Sequence, residues 1–139
     1  VKETICWDKN GGFNIATKGI LSRPWELVFI LSVGDSYFTT QKENEVRYAL
    51  WKVDTHKGTQ MAGIHNAVFP VELPKNAIDW FSLGGDIVID PFLGSGTTMI
   101  ACENTGRKCR GIEIAPDYVA VCLQRYKDAT GKEPVRING

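Results

Sequence analysis

Asp86-Ile87-Val88-Ile89-Asp90-Pro91-Phe92-Leu93-Gly94-Ser95-Gly96-Thr97-Thr98 decides how this chain folds. Ile87, Val88 and Ile89 form a short apolar, β-branched run, which predicts a strand. The run ends in a Gly-rich loop and passes directly into a helical pattern. An α/β sheet presents nucleotide-like ligands in this way. They bind at the carboxyl ends of the strands, where glycine lets the backbone come close and the next helix offers free N–H groups.

Downstream of the loop, the spacing predicts a helix over 97–104 stopped by Gly106, and a strand over 109–114. Pro116 opens a last helix in which Tyr118, Val121, Cys122 and Arg125 recur at helical spacing, and the tail from 130 to 139 is expected to fray. Upstream, Val71, Leu73, Ala77, Ile78 and Phe81 share one face of a helix over 71–81, with Pro74 in its first turn. The second half is thus one βαβ unit with a leading helix, whose crossover is expected to be right-handed.

The first half is less regular. Residues 3–7 predict a short strand, and Asp8-Lys9-Asn10-Gly11-Gly12 a turn. The near-continuous apolar run over 26–33 predicts a strand buried on both faces. Residues 34–44 are polar and expected on the surface, 46–53 suit another strand, and 55–66 are irregular, with two glycines and both histidines.

With 139 residues the chain has one domain's worth of length. Its 43% hydrophobic and 23% charged residues are ordinary for a soluble globular protein. No apolar run approaches the roughly 18 residues that span a bilayer, and no membrane partner is expected. Cys6, Cys102, Cys109 and Cys122 form no Cys-x-x-Cys pair and have no nearby histidines, so reduced thiols are expected and a zinc site is not. The formal net charge of zero argues against a strong nonspecific nucleic-acid binder, but leaves room for a DNA enzyme with few, local contacts. The chain opens at Val1, without an initiator Met and directly in strand-like sequence, as expected of a protein cut at its front.

Three features carry chemistry. In a dinucleotide fingerprint a third glycine would stand three positions after Gly96, where Met99 stands, and no Gly-Lys-Ser/Thr follows to make a phosphate loop for ATP or GTP. Glu113, at the end of the strand after the loop, is placed to accept both ribose hydroxyls of a nucleoside bound over the glycines. The segment His65-Asn66-Ala67-Val68-Phe69-Pro70-Val71-Glu72-Leu73 leads into the helix over 71–81 and means little alone.

Together these features resemble the amino-methylating DNA methyltransferases, which act on adenine N6 or cytosine N4, in the β order where cofactor motifs follow catalytic ones. Phe69-Pro70-x-x-Leu73 with His65 is similar to that family's motif X, although Asn66 stands where the family usually has proline. Asp90-Pro91-Phe92-x-Gly94-Ser95-Gly96-Thr97-Thr98 is similar to motif I, and Gly111-Ile112-Glu113-Ile114 with Pro116 and Tyr118 to motif II. The match is specific over about residues 65–126. Trp7-Asp8-Lys9 and the segment from Arg23 to Leu31 are similar, more loosely, to strands of the family's catalytic half.

The resemblance implies a Rossmann-like α/β methyltransferase fold with S-adenosylmethionine (AdoMet) as methyl donor, double-stranded DNA as partner, and a cytoplasmic protein of bacterial or phage origin. It implies cofactor contacts from His65, Phe69, Asp90, Pro91, Phe92, Gly94, Ser95, Gly96, Thr97, Thr98, Glu113 and Ile114. The backbone of 92–96 would flank methionine and ribose, Glu113 would hold the ribose hydroxyls, and 65–69 would close over the methionine end.

The family's catalytic Asp/Asn/Ser-Pro-Pro-aromatic tetrapeptide does not occur in the sequence. The nearest approach, Ser22-Arg23-Pro24-Trp25, has Arg for the first Pro and precedes a strand where it should follow one. The catalytic motif is therefore expected upstream of Val1, and with it the central strand that carries it. The fold is expected to be incomplete, with open edges that favour a second copy or a separate chain completing the sheet, or an unusual strand arrangement. On this organisation 1–34 are strands of the catalytic half, 35–64 a small target-recognition region, 65–130 the AdoMet-binding βαβ region and 131–139 a tail. In 35–64, Lys42, Arg47, Lys52, His56 and Lys57 are candidates for phosphates and Tyr37, Phe38 and Tyr48 for packing or stacking; a solvated loop with scattered charges explains them as well. Two other readings stay open: an AdoMet-binding module without transfer activity or one subunit of a split enzyme, and a nicotinamide-dependent oxidoreductase, against which Met99 and the lack of a second βαβ half speak.

Overall fold

The computed structural model describes residues 2–10, 25–34, 48–55 and 69–137. Their elements run β1 (Glu3–Asp8), β2 (Trp25–Ile30), β3 (Leu50–Lys52), α1 (Glu72–Phe81), β4 (Ile87–Asp90), α2 (Thr97–Asn104), β5 (Lys108–Gly111) and α3 (Pro116–Thr130). Among the described residues no helix is long and apolar enough to cross a membrane.

The described strands form two sheets. One has the order β2-β1-β3, with β1 antiparallel to β2 and parallel to β3. The other is the parallel pair β4-β5, joined through α2 and registered with Ile87 opposite Lys108 and Asp90 opposite Gly111.

Side-chain alternation decides which way each strand faces. Ile5 and Trp7 of β1 and Trp51 of β3 point inward and, with Val53, make a buried cluster on which Val28 and Ile30 of β2 pack. The Trp7 indole N–H donates to the Val53 carbonyl at 2.8 Å, so the ring is buried with its polar atom satisfied. Helix α1 lays Leu73, Ala77, Trp80 and Phe81 on this cluster, with the Trp80 ring edge-to-face on Trp51 at 5.1 Å. On an adjoining stripe α1 carries Ile78, which is buried with Ala101 and Cys102 of α2 against Val88 and Cys109.

Arg107 closes the carboxyl end of α1 onto the α2–β5 turn. Its guanidinium donates to Asp79 Oδ1 at 3.2 Å, Ser82 Oγ at 3.1 Å, the Ser82 carbonyl at 2.7 Å and the Thr105 carbonyl at 2.6 Å. A cation beside the last carbonyls of a helix is also favoured by the helix dipole.

Two sequence expectations need correction. The run over 26–33 is not a strand buried on both faces: β2 pairs with β1 alone among the described strands, and Leu27 and Phe29 are 47% and 58% exposed. Its alternation places only Val28 and Ile30 on the core, and Leu31 and Val33 lie beyond the strand in solvent. The strand expected over 109–114 stops at Gly111, because beyond it the backbone serves the loop: the Ile112 N–H donates to the Asp90 carbonyl and its carbonyl accepts from Leu93. The helices over 71–81, 97–104 and from Pro116, and the strand before the loop, occur where the sequence places them.

Arg107 is 9% exposed and gathers four acceptors, so Arg107→Ala is expected to lower stability by about 2–4 kcal/mol. Urea denaturation measures this; a loss under about 0.5 kcal/mol would show that the staple is no more than a surface contact.

Candidate cofactor site

The site is the turn between β4 and α2, and hydrogen bonds from its neighbours hold most of its backbone. Asp90, the last residue of β4, turns its carboxylate back to accept the Phe92 N–H at 3.0 Å, an Asx turn that swings the chain off the strand. The Leu93 N–H donates to the Ile112 carbonyl at 2.9 Å and the Gly96 N–H to the Leu93 carbonyl at 3.0 Å. The Leu93 side chain lies so close to Gly111 that a Cβ there would come within 2.5 Å of it.

The two loop glycines are needed for different reasons. Gly94 has φ +54°, and a Cβ there would meet only the Phe92 carbonyl oxygen, at 3.9 Å, so its lack of a side chain clears the approach to the loop. Gly96, the N-cap of α2, has φ +83° and faces α3: a Cβ would sit 2.6 Å from the Cys122 sulfur. With glycine at the N-cap no side chain caps α2, and the first intrahelical bond runs from Ile100 to Gly96. The amides of Thr97, Thr98 and Met99 thus have no acceptor within the helix.

Glu113 reaches this loop from the segment just after β5. One carboxylate oxygen accepts the Gly94 N–H at 2.8 Å and the other the Ala115 N–H at 2.8 Å. An ionised carboxylate offers about four lone-pair sites, so each oxygen keeps one for a further donor. Beside it Ile114 is 95% exposed and, across the loop, Phe92 is 88% exposed, two large apolar surfaces with nothing of the described chain over them.

Of the twelve residues read from the sequence as cofactor contacts, ten are gathered at this turn: 90–92, 94–98, Glu113 and Ile114. Phe69 stands half-exposed just ahead of α1, with Pro70 buried behind it, and His65 lies outside the described residues. Ser95 and Thr97 are buried, with their hydroxyls turned to Arg125. Of the candidates in 35–64, Tyr48 and Lys52 are exposed, and the others lie outside the described residues. Trp25 of the rejected tetrapeptide opens β2, partly exposed.

Sequence reasoning passed over two residues of the site. Arg125 shows in the sequence only as part of a helical stripe; its signal is a cation in the apolar stripe of α3. Leu93, an unassigned position in the motif, wedges against Gly111, and no pattern announces that contact.

Three thiols lie under the loop, and burial, the largest cause in each, raises all of them. Cys102 is pushed up to about 12, with Cys109 beside it adding to the shift, and Cys109 and Cys122 move in the same direction. They pack as neutral, unreactive groups at neutral pH.

A model of the N6/N4 DNA methylase family matches residues 1–124, and the chain belongs to that family. It is 31% identical over 136 residues to the type II methyltransferase M.Cfr9I of Citrobacter freundii, covering 91% of this chain and 44% of that protein. It is similar to the crystal structure of the M1.HpyAVI–SAM complex at TM-score 0.74 and 26% identity, covering 90% of this chain and 61% of that one. It is also similar to TTHA0409 of Thermus thermophilus, a putative DNA modification methylase complexed with S-adenosyl-L-methionine, at TM-score 0.64 and 25% identity over 91% of this chain and 52% of that one. The fold is thus the Rossmann-like methyltransferase fold, and the chain spans less than half the length of M.Cfr9I.

Gly96→Ala is expected to cost about 2–4 kcal/mol, from the left-handed backbone and the collision with Cys122 together. Removing the sulfur with Cys122→Ala should recover part of that cost, a coupling of at least about 0.5 kcal/mol in a denaturation double-mutant cycle. Additive losses would place the glycine's role in its backbone alone.

The raised Cys102 thiol sets a pH dependence. Its folded value lies above that of the unfolded chain, about 8.5, so the folded state keeps a proton the unfolded state has lost. Its contribution is full below about pH 8.5 and is lost as pH rises towards about 12. Melting temperatures at rising pH should fall less steeply in Cys102→Ala than in the parent; equal slopes would contradict this.

Proposed function

We propose that this chain holds the AdoMet of a DNA methyltransferase that acts on the exocyclic amine of adenine (N6) or cytosine (N4). The observation that carries this reading is Glu113. Its carboxylate is tied to the loop through the Gly94 N–H yet keeps an acceptor site on each oxygen, the pattern that a pair of ribose hydroxyls requires. The side chains around it fit the rest of the cofactor. Phe92 and Ile114 offer apolar surface for a flat ring, and the amides at the start of α2 and the bare face of Gly94 offer a close, polar approach. Phe69, ahead of α1, would bound the methionine end together with His65. The names of the similar proteins, a type II methyltransferase, a SAM complex of M1.HpyAVI and a DNA modification methylase complexed with S-adenosyl-L-methionine, support the same assignment.

AdoMet supplies a sulfonium-activated methyl group. What the chain's own residues contribute is position: the Asx turn of Asp90, the wedge of Leu93 and the Glu113 bonds fix the loop before the ligand arrives, so little of the binding energy is spent on ordering it. The acceptor for the target amine and the ring that stacks on a flipped base belong to the tetrapeptide this sequence lacks, and we assign them to another part of the methyltransferase. Open strand edges and the exposed apolar residues of β2 and β4, Leu27, Phe29, Ile87 and Ile89, are where that part, a separate chain or a second copy would complete the sheet.

Titration calorimetry with AdoMet tests the assignment, with NAD as the competing ligand. Saturable AdoMet binding is expected, weakened about tenfold or more by Glu113→Ala, with no binding of NAD. A chain that is folded by circular dichroism yet binds no AdoMet, or prefers NAD, would refute it.

A further inference from the structure

We propose that Arg125 of α3 is a positioning residue for the cofactor loop, holding the Ser95–Gly96 peptide in the orientation that AdoMet binding requires. This rests on the AdoMet reading above.

The geometry is specific. Arg125 Nη1 donates to the Ser95 carbonyl at 2.7 Å, Ser95 Oγ at 2.6 Å and Thr97 Oγ1 at 3.2 Å. One nitrogen with two N–H groups thus serves three acceptors, all on the loop and the first residue of α2. Ser95 is 8% and Thr97 3% exposed, so both hydroxyls are buried polar groups that need this partner. Arg125 stands one helical turn from Cys122, so one stripe of α3 meets three consecutive residues, Cys122 at Gly96 and Arg125 at Ser95 and Thr97.

A peptide unit is planar, so fixing its carbonyl and its N–H fixes the whole plane. The Ser95–Gly96 unit is pinned at both ends, its carbonyl by Arg125 and its N–H by the Leu93 carbonyl at 3.0 Å. Earlier in the loop, Glu113 holds the Gly94 N–H. The loop is thus fixed by an anion from the segment after β5 and by a cation from α3. Among the described residues Arg125 has no carboxylate partner, and burial lowers its pKa. Its Nη1 donors end on Ser95 of the loop and on Thr97, the first residue of α2.

The test compares AdoMet affinity with stability in the full chain. Calorimetric dissociation constants and melting temperatures are measured for the parent, Arg125→Met, Arg125→Lys and Ser95→Ala, with Arg107→Ala as a variant destabilised away from the loop. Arg125→Met keeps the stem but no donor, and AdoMet binding is expected to weaken about tenfold, with Arg125→Lys recovering much of the loss and Ser95→Ala losing about two- to threefold. Arg107→Ala should melt earlier yet bind within about twofold of the parent. Binding by Arg125→Met within about twofold of the parent overturns the inference, as does a loss in Arg107→Ala of the same size, which would make stability the cause. If Arg125→Met does not fold, Arg125→Lys and Ser95→Ala decide: parental affinity in both overturns the inference. Absence of AdoMet binding by the folded parent overturns the cofactor reading and this inference with it; parental binding with unaffected variants overturns this inference alone.

Discussion

Helix α1 is apolar on two adjoining stripes, and each stripe is taken by a different sheet. Leu73, Ala77, Trp80 and Phe81 lie on the tryptophan cluster of β1 and β3, while Ile78 is buried with α2 against β4 and β5. A two-stranded parallel sheet cannot bury enough surface to stand alone, and a three-stranded one with an open outer face is little better off. Each becomes part of a domain because one ten-residue helix joins their apolar faces. Arg107 then sets the end of that helix by tying Ser82 and Asp79 to the turn before β5. The loop between β4 and α2 inherits its position from this packing, since both elements that flank it lie against α1 or against each other.

Within the loop, flexibility and constraint are divided between residue types. Gly94 and Gly96 supply conformations that other residues take only under strain, and the side chains of Asp90, Leu93, Glu113, Cys122 and Arg125 remove the freedom the glycines would otherwise keep. A loop held this way is preorganised: its amides point in fixed directions before any ligand is present, and binding need not order them. The buried thiols beneath it add volume without charge or reactivity.

The outer faces tell a different story from the core. Leu27 and Phe29 on β2, and Ile87 and Ile89 on β4, are apolar, β-prone and largely exposed. Their sequence asks for a strand covered on both sides, and the described chain covers one. The expectation of a doubly buried strand over 26–33 failed for this reason. Hydrophobicity reports what a face needs, and the contact that meets the need is a property of everything packed against it.

By itself the sequence determined the order and placement of the cofactor half. β-Branched runs, helical periodicity, Pro116 at a helix start and Gly106 at a helix end act over a few residues, so α1, β4, α2 and the start of α3 are legible from local pattern. The same holds for the glycine loop and Glu113, whose chemistry depends on residue type at fixed spacing. Only the tertiary structure decided where β5 ends, which face of β2 is buried, why Gly96 must be glycine against Cys122, and that Arg125 serves the loop from 30 residues away. Those outcomes rest on contacts between elements distant in the chain, and a local pattern carries no record of which neighbour arrives.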